Sequence, residues 1–536
     1  MDQSVRCCQT GEVSERSFRA PAEFPVHLDR RASTPLPVQL AAALREVIDA
    51  AGLRPGEELP ATRRLASRLG VARGVVVSAY EQLIAEGYLR AERGRGTVVN
   101  PDLAAPSSPA VGARADQRGD PRARPVPVPR RPIGAGGGDG DVDGAVDSTG
   151  SGGLEVEEST VRPPLAPGAP LTDATERPAW RAAWRSAAAR ADRRPAALGD
   201  PGLRAELAEH LRLVRGTPRP ARDVLVTAGT REGLGLLLTA LGTTRGNGLV
   251  VGVEDPGYPS LRGVAARHGA RIVSLPVDAD GLRTDRLPSG MLDLVIVTPS
   301  HQYPVGGSLP LPRRRELLDW AARTGVVIVE DDYDSELRQV GTPLPTLAAL
   351  DDPVSGSVVT LGTFSSTVTP ALAAGFLLAP EQLRALLEPV RRDLGSPVSA
   401  MVQLALAEYL ASGELRRNIA RVRRRHAARR DLISECFAGV SGARVRPMSG
   451  GLHAVVELAG PGATGQEREA RVVAAAAEPA PGFPNGLGVA ALGAYWQHHR
   501  ADRTAGLVLG MGGPDGAEFE AAIERLRAIL TSSFCA

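Results

Sequence analysis

The stretch "GVVIVEDDYD", Gly325 to Asp334, decides the fold class of most of this chain. Four β-branched residues in a row leave no polar position to face water, so the segment reads as a strand buried on both faces. It then breaks off into three acids and a tyrosine, a sudden change from apolar to ionisable. Runs of the same kind recur on either side: "DVLVTAG" (223–229), "GLVVGVEDPGY" (248–258), "ARIVSLPVD" (270–278), "LDLVIVTPSH" (292–301), "SVVTLGTFS" (357–365) and "AGFLLAP" (374–380). Helical segments separate them, which indicates a mostly parallel sheet covered on both faces. Several runs end in polar or glycine-rich turns, and in open α/β sheets ligands bind at the carboxyl ends of the strands.

At 536 residues the chain is too long for one ordinary domain, and with 43% hydrophobic residues it can bury a sizeable core. No apolar run approaches the length of a membrane span. The start, "MDQSVRCCQTGEVSERSFRA", has no basic segment followed by an apolar one, so a cytoplasmic protein is expected. The cysteines Cys7, Cys8, Cys436 and Cys535 suit a reducing compartment and show no repeated metal-ligand spacing. The formal net charge is only +2, so any nucleic-acid binding must come from a local patch. All 63 basic side chains are arginine; the sequence contains no lysine.

Composition divides the chain into four parts. Residues 1–25 read as a disordered N-terminus, and 26–100 alternate helical apolar spacing with short turns. Residues 101–162, rich in Pro, Gly, Ala and Asp, bury too little to offset their ordering entropy and read as a flexible linker. The arginines between Arg122 and Arg131 are solvated linker charge on this reading, with DNA contact as the alternative. Residues 163–536 carry the strand runs. No internal repeat is visible.

Within 26–100, Leu40, Leu44, Val47 and Ile48 have the spacing of one buried helix face, and Pro55-Gly56 breaks that helix. A second helix, Thr62 to Leu69, ends at Gly70, which suits a left-handed cap. A third runs from about Arg73 to Glu86. After it "YLRAERGRGTVV" (88–99) reads as a two-stranded hairpin with Arg93, Gly94, Arg95 and Gly96 at its tip. Two helices joined by a short turn and followed by a basic hairpin make an α+β winged helix-turn-helix, whose third helix fits a major groove. Arg63, Arg73, Arg93 and Arg95 lie near the proposed face, and guanidinium forks bind phosphate oxygens or the acceptor edge of guanine.

The segment "LPATRRLASRLGVARGVVVSAYEQLIAEGYL" (59–89) with the wing "RGRGT" (93–97) resembles the GntR family of winged-helix regulators. The resemblance implies double-stranded DNA as partner, with Arg63, Arg73, Gly74 and the wing residues Arg93, Gly94 and Arg95 at the contact. The family usually has a hydroxyl where Ala72 stands, and its loss removes a cap of roughly 1 kcal/mol from the recognition helix.

Residues 163–536 resemble the fold-type I, pyridoxal-phosphate-dependent aminotransferases of class I and II. The motifs are "LGDPGLRAELAEHLRLVRG" (198–216), "VTAGTREGL" (226–234), "VEDPGYP" (253–259), "TPSHQYPVGGSLPLPRRRELLDWA" (298–321), "VEDDYDSELR" (329–338) and "GTFSSTVTPALAAGF" (362–376). Joined to a GntR-type reader by a linker, such a domain gives the MocR architecture of transcription regulators. The resemblance places Asp331 at the pyridine nitrogen of pyridoxal 5′-phosphate, Tyr333 at the ring hydroxyl, and Tyr258 against the ring face. Gly229, Thr230, Arg231 and Thr363 fall at the phosphate, with His301 and Gln302 near the ring. The lysine that tethers the cofactor's aldehyde falls on Ser366, and a hydroxyl cannot replace the amine. No other lysine exists to do so. The phosphate-binding arginine falls on Ala373, and the arginine that grips a substrate carboxylate falls on Val508.

The loop therefore reads as the remains of a cofactor site: a regulator, not an enzyme, with covalent cofactor binding excluded; the alternative is an aminotransferase-family enzyme fused to a DNA-binding domain, which the absence of lysine opposes. Asp331 and Tyr333 are either inherited scaffold or part of a retained non-covalent ligand site. The resemblance further implies a head-to-tail homodimer and a small-molecule effector, which is an amino acid, an amine, or pyridoxal phosphate held without a bond. No metal site is expected in "EDDYDSE" (330–336), which has no His or Cys.

Overall fold

The computed structural model describes residues 28, 36–49, 53–85, 88–92, 96–100, 162–190, 194–245, 248–338, 344–447, 450–458, 463–497, 503–514 and 516–535. They fall into two compact units, one of elements before residue 100 and one of elements after 162. The expected disordered N-terminus, 1–25, lies outside the described residues, as do 101–161 of the expected linker.

The first unit has helices α1 (Leu36–Asp49), α2 (Thr62–Leu69) and α3 (Arg73–Ala85), and an antiparallel pair, β1 (Leu89–Glu92) and β2 (Gly96–Val99). Leu40 and Leu44 are fully buried and Ile48 nearly so, as the apolar spacing of α1 requires. The turn between α2 and α3 forms because Gly70 takes up φ 62°, ψ 33°, a left-handed conformation without cost to glycine, and returns its N–H to the end of α2. Tyr80 then ties α3 back to the start of α2: its buried hydroxyl donates to the Pro60 carbonyl at 2.8 Å.

The second unit begins with α4 (Pro178–Ala188), α5 (Pro201–Arg215), β3 (Val224–Thr227), α6 (Thr230–Arg245), β4 (Val250–Asp255), α7 (Pro259–Arg267), β5 (Arg271–Asp278) and β6 (Gly281–Leu282). There follow β7 (Leu294–Val297), α8 (Leu311–Thr324), β8 (Val327–Asp331), α9 (Leu347–Leu350), β9 (Val358–Thr363) and β10 (Gly375–Leu378). Eight strands make one sheet in the order β3-β10-β9-β8-β7-β4-β5-β6. The inner strands β5, β4, β7, β8 and β9 are mutually parallel, while β10 runs antiparallel between β3 and β9.

Strand alternation divides the apolar residues between the two faces. Val224, Val226, Val295, Val297 and Ile328 join one core layer with side chains of α5 and α8. Leu225, Leu294, Ile296, Val327 and Val329 join the other with those of α6 and α7. Helix starts are fixed locally. Asp200 accepts from Leu203 N–H at 3.0 Å ahead of Pro201, and α5 stops at the left-handed Gly216.

The chain continues through α10 (Glu381–Leu394), α11 (Ala400–Ala411), α12 (Glu414–Phe437), β11 (Ala443–Val445), β12 (His453–Leu458), α13 (Ala463–Ala477), β13 (Ala490–Ala491), β14 (Gly506–Gly510) and α14 (Gly516–Cys535). Strands β11-β12-β14-β13 form a second, antiparallel sheet that packs on α12, α13 and α14.

Candidate functional site

The same alternation gives two neighbouring carboxylates different surroundings. Glu330 points to the α8 side, where its oxygens accept from Leu347 N–H at 2.8 Å, Ala348 N–H at 3.3 Å and the Thr360 hydroxyl at 3.0 Å. It is a satisfied structural group that caps α9. Asp331, one residue on, turns to the α6–α7 side at the end of β8. It is 2% exposed, and its Oδ1 has no hydrogen-bond partner among the described residues.

Asp331 lies at the base of a narrow cleft with Glu254, Tyr258, Arg262 and Thr298. Glu254 is buried and receives the Thr298 N–H at 3.2 Å. Burial drives its carboxyl up to about 7. Burial, and then the charges of Asp332, Asp334 and Glu254, drive Asp331 up to about 8. Burial also lowers Arg262, whose Nη1 is enclosed without a partner among the described residues. Tyr258, just ahead of α7, forms the outer wall; it is 37% exposed and meets Tyr303 edge-on at 5.1 Å. The space enclosed is about 20 Å³, room for about one water, so a planar ligand enters only if the Tyr258 ring swings outward.

The other ring-side residues are tied to one another. His301 Nδ1 lies 2.8 Å from Asp334 Oδ2, and since a carboxylate only accepts, Nδ1 carries the hydrogen and Nε2 is left a buried acceptor without a partner among the described residues. The Tyr333 hydroxyl donates to the His301 carbonyl at 3.0 Å. Gln302 is fully buried and donates to the carbonyls of Pro256 and Tyr303, both at 2.8 Å, which makes it a brace for the loop after β4. The Ser366 hydroxyl donates to the Tyr333 carbonyl at 2.7 Å.

At the start of α6, Gly229 takes φ 95° and Thr230 opens the helix. This turn lies against β10, where a Cβ on Gly375 would come within 2.9 Å of Gly229 Cα. The terminus already has an anion of its own: Glu232 accepts the Ala228 N–H at 3.0 Å with one oxygen and pairs with the buried Arg391 through the other. Arg231 hydrogen-bonds Ser260 on α7. Thr363, at the end of β9, accepts from Ser365 N–H at 3.1 Å. Ala373 is exposed in a left-handed conformation, φ 42°. Val508 is fully buried in an apolar cluster with Tyr303 and Tyr495, so no charged side chain serves there.

The structure thus brings Tyr258 and Asp331 to one cleft, sets His301, Tyr333 and Ser366 in a hydrogen-bonded chain, and places Gly229, Thr230, Arg231 and Thr363 around the α6 terminus. Glu254, Arg262 and Glu232 were missed by sequence reasoning. Glu254 stands inside the quoted "VEDPGYP", where an acid ending a strand run was the available signal. No metal-binding group of three or more His, Cys, Asp or Glu occurs among the described residues. Nor is any helix among them long and apolar enough to cross a membrane.

In the first unit Arg63, Arg64 and Arg68 of α2 and Arg73 and Gly74 of α3 are exposed. Arg73 Nε is 3.4 Å from the Thr62 hydroxyl. A Cβ on Gly74 would meet nothing of the chain within 4 Å, so the fold does not require glycine there. Arg93, Gly94 and Arg95 lie outside the described residues.

Residues 36–99 match the model of the bacterial regulatory proteins of the gntR family, and 164–471 that of aminotransferase class I and II. The chain is 39% identical to the HTH-type pyridoxine biosynthesis transcriptional regulator PdxR of Corynebacterium glutamicum, over 92% of this chain and 96% of that one. It is 33% identical to the probable rhizopine catabolism regulatory protein MocR of Rhizobium meliloti, over 76% and 78% of the two chains. In fold it matches the multiple substrate aminotransferase of Thermococcus profundus, with a TM-score of 0.59 at 22% identity over 70% of this chain and 93% of that one.

Proposed function

Because the chain belongs to the MocR type of the GntR family of transcription regulators, a helix-turn-helix reader fused to an aminotransferase class I and II domain, we propose that its large domain has given up covalent cofactor chemistry and serves for dimerisation and ligand sensing. GntR-type regulators bind DNA, and the exposed arginines Arg63 and Arg73, with open space at Gly74, support a contact through α2 and α3. The wing residues Arg93, Gly94 and Arg95 complete it. The reader is residues 26–100 and the sensor 163–536; in a head-to-tail homodimer the two readers would meet paired half-sites. Ligand binding in the large domains would then shift the balance between arrangements of the readers.

The observation that carries this reading is the hydrogen bond of Ser366 to the Tyr333 carbonyl in a chain without any lysine. Pyridoxal phosphate, where an aminotransferase holds it, supplies an electron sink for amino-group exchange. That chemistry needs an amine to tether the aldehyde and to move the proton, and here the position holds a hydroxyl already committed to a backbone carbonyl. The ring end fits the cofactor, since Asp331 is an orphaned buried acceptor suited to a protonated ring nitrogen. The tether and the phosphate end do not fit. The name of the C. glutamicum relative also makes pyridoxine metabolism the first place to look for target genes.

The test is borohydride reduction of the full-length protein after incubation with pyridoxal 5′-phosphate, followed by peptide mass mapping, beside a footprint on the DNA flanking its own gene. Expected are a protected operator and no adduct on any internal side chain. Amino-group exchange between an amino acid and a keto acid, catalysed by the purified protein, would overturn the reading.

A further inference from the structure

We propose that the cleft on Asp331 binds an unphosphorylated nitrogen heterocycle as its protonated cation and discriminates against the phosphorylated form. This rests on the non-covalent sensing role proposed above and names the ligand class of that site.

At the ring end every unfilled need except one is for a hydrogen donor. Asp331 Oδ1 is enclosed without a partner among the described residues, and once ionised the group only accepts. Leaving such an oxygen bare is costly, whereas a ring N–H⁺ in the cleft would answer it with a charge-assisted bond. Two buried carboxyls, Asp331 and Glu254, face one guanidinium, that of Arg262. Burial raises the proton affinity of both, and at Asp331 the charges of Asp332, Asp334 and Glu254 add to it, which a bound cation relieves. The Tyr258 ring, which lines the cleft, suits a flat cationic ring.

At the α6 terminus the electrostatics have the opposite consequence. Helix N-termini favour anions, but the Glu232 carboxylate takes the Ala228 N–H and is itself held by Arg391. An incoming phosphate would therefore find the positive charge of Arg391 already paired with that carboxylate. No arginine at 373 adds a positive charge, and the Arg231 side chain is held to the Ser260 hydroxyl. An α-carboxylate fares no better, because Val508 lies buried among apolar side chains. The fold therefore keeps the half of the site that recognises a basic ring and lacks an arginine in the half that recognises anions.

Calorimetry on the full-length protein tests this, with pyridoxamine, pyridoxine and their 5′-phosphates as probes. The unphosphorylated compounds should bind at least about tenfold more tightly than their phosphates. Asp331→Asn should weaken them by about tenfold or more through loss of one charged hydrogen bond. Ala373→Arg, at an exposed position, should narrow or reverse the preference by strengthening the phosphates alone. Phosphates binding as tightly as the free vitamers, no heat from any probe, or unchanged affinity in Asp331→Asn would each overturn the proposal. Failure of the regulator reading would appear instead as amino-group exchange or as loss of DNA protection, neither of which these titrations measure.

Discussion

Ser366 donates its hydroxyl hydrogen to the carbonyl of Tyr333 across 2.7 Å, joining the loop after β9 to the chain just beyond β8. The donor is the side chain that stands where the aminotransferase resemblance places its lysine, and the acceptor lies two residues beyond Asp331. A residue six per cent exposed, held to a neighbouring backbone, has a structural occupation of its own.

Replacing Ser366 by Lys should test how much of the old chemistry the pocket can accept. The variant breaks that hydrogen bond, which costs about 1 kcal/mol, and supplies the missing amine at the position where the aminotransferase resemblance places it. With excess pyridoxal 5′-phosphate it should give a borohydride-stable adduct at residue 366, detected by mass mapping, whereas the parent gives none within the chain. Because the phosphate end lacks an arginine, Ser366→Lys with Ala373→Arg should reach half-labelling at roughly tenfold lower concentration. Equal labelling of the single and double variants would show that position 373 does not reach the phosphate.

Asp331 should leave a signature in the pH dependence of stability. Its carboxyl is raised to about 8 in the folded protein, against an ordinary value near 4 in the unfolded chain. Between those values the native state holds a proton that the unfolded state has released, so this group's contribution is intact below about pH 4 and declines as pH rises towards 8. Asparagine has no such dependence. Thermal melts of Asp331→Asn against the parent should coincide at pH 4.5 and separate towards pH 8.5, the variant being the more stable by on the order of a few kcal/mol. Glu254, raised to about 7, remains in both proteins, and its charge is part of what raises Asp331 in the parent. A constant difference across that range would mean Asp331 ionises normally.

Much of this geometry was legible in the residues, and the part that was not has a physical cause. All seven apolar runs are strands of the large sheet; six are buried on both faces and need no partner to announce themselves, while β5 is only partly buried. That "AGFLLAP" would run antiparallel between β3 and β10's other neighbour β9 could not be read, because direction depends on where the loop re-enters the sheet. The antiparallel β11–β14 sheet went unseen: β13 has two residues and β11 three, and α13 intervenes between β12 and β14. Tyr258 and Asp331, which the aminotransferase resemblance sets at the cofactor ring, line one cleft. Glu254 and Arg262 were not legible, because their meeting with Asp331 requires β4, α7 and β8 to be adjacent. The engagement of Glu232 with Arg391 likewise joins residues far apart in the chain.

Ala72 offers a gain instead of a loss. It precedes α3, and its carbonyl accepts the Val75 N–H at 3.0 Å, which makes it the residue that opens the recognition helix. Its methyl group satisfies none of the free N–H groups there, and it is exposed, so a serine fits without repacking. Ala72→Ser should add about 1 kcal/mol of stability to the first unit through the new cap. Chemical denaturation followed by Tyr80 or Tyr88 fluorescence would check it; an unchanged midpoint would mean the helix start is already satisfied by another group.

The arginines of α2 and α3 should separate two kinds of contact by their salt dependence. Arg63 and Arg73 are exposed on adjoining turns, where a guanidinium reaches either a phosphate or a base edge. A phosphate contact releases about one counterion, so its removal lowers affinity on every sequence alike and reduces the slope of log K against log salt by roughly 1. A bidentate contact to guanine costs about 1–3 kcal/mol on the operator and little on unrelated DNA. Arg73 is within 3.4 Å of the Thr62 hydroxyl, which steadies its side chain at the first turn of α3 and favours base reading. Arg63→Ala should therefore flatten the salt slope with specificity kept, while Arg73→Ala should lower the ratio of operator to non-specific affinity by about tenfold or more. Fluorescence anisotropy of both variants between 50 and 200 mM salt, on operator and scrambled duplexes, distinguishes them. If neither variant changes slope or ratio, the DNA-binding face lies elsewhere on the reader.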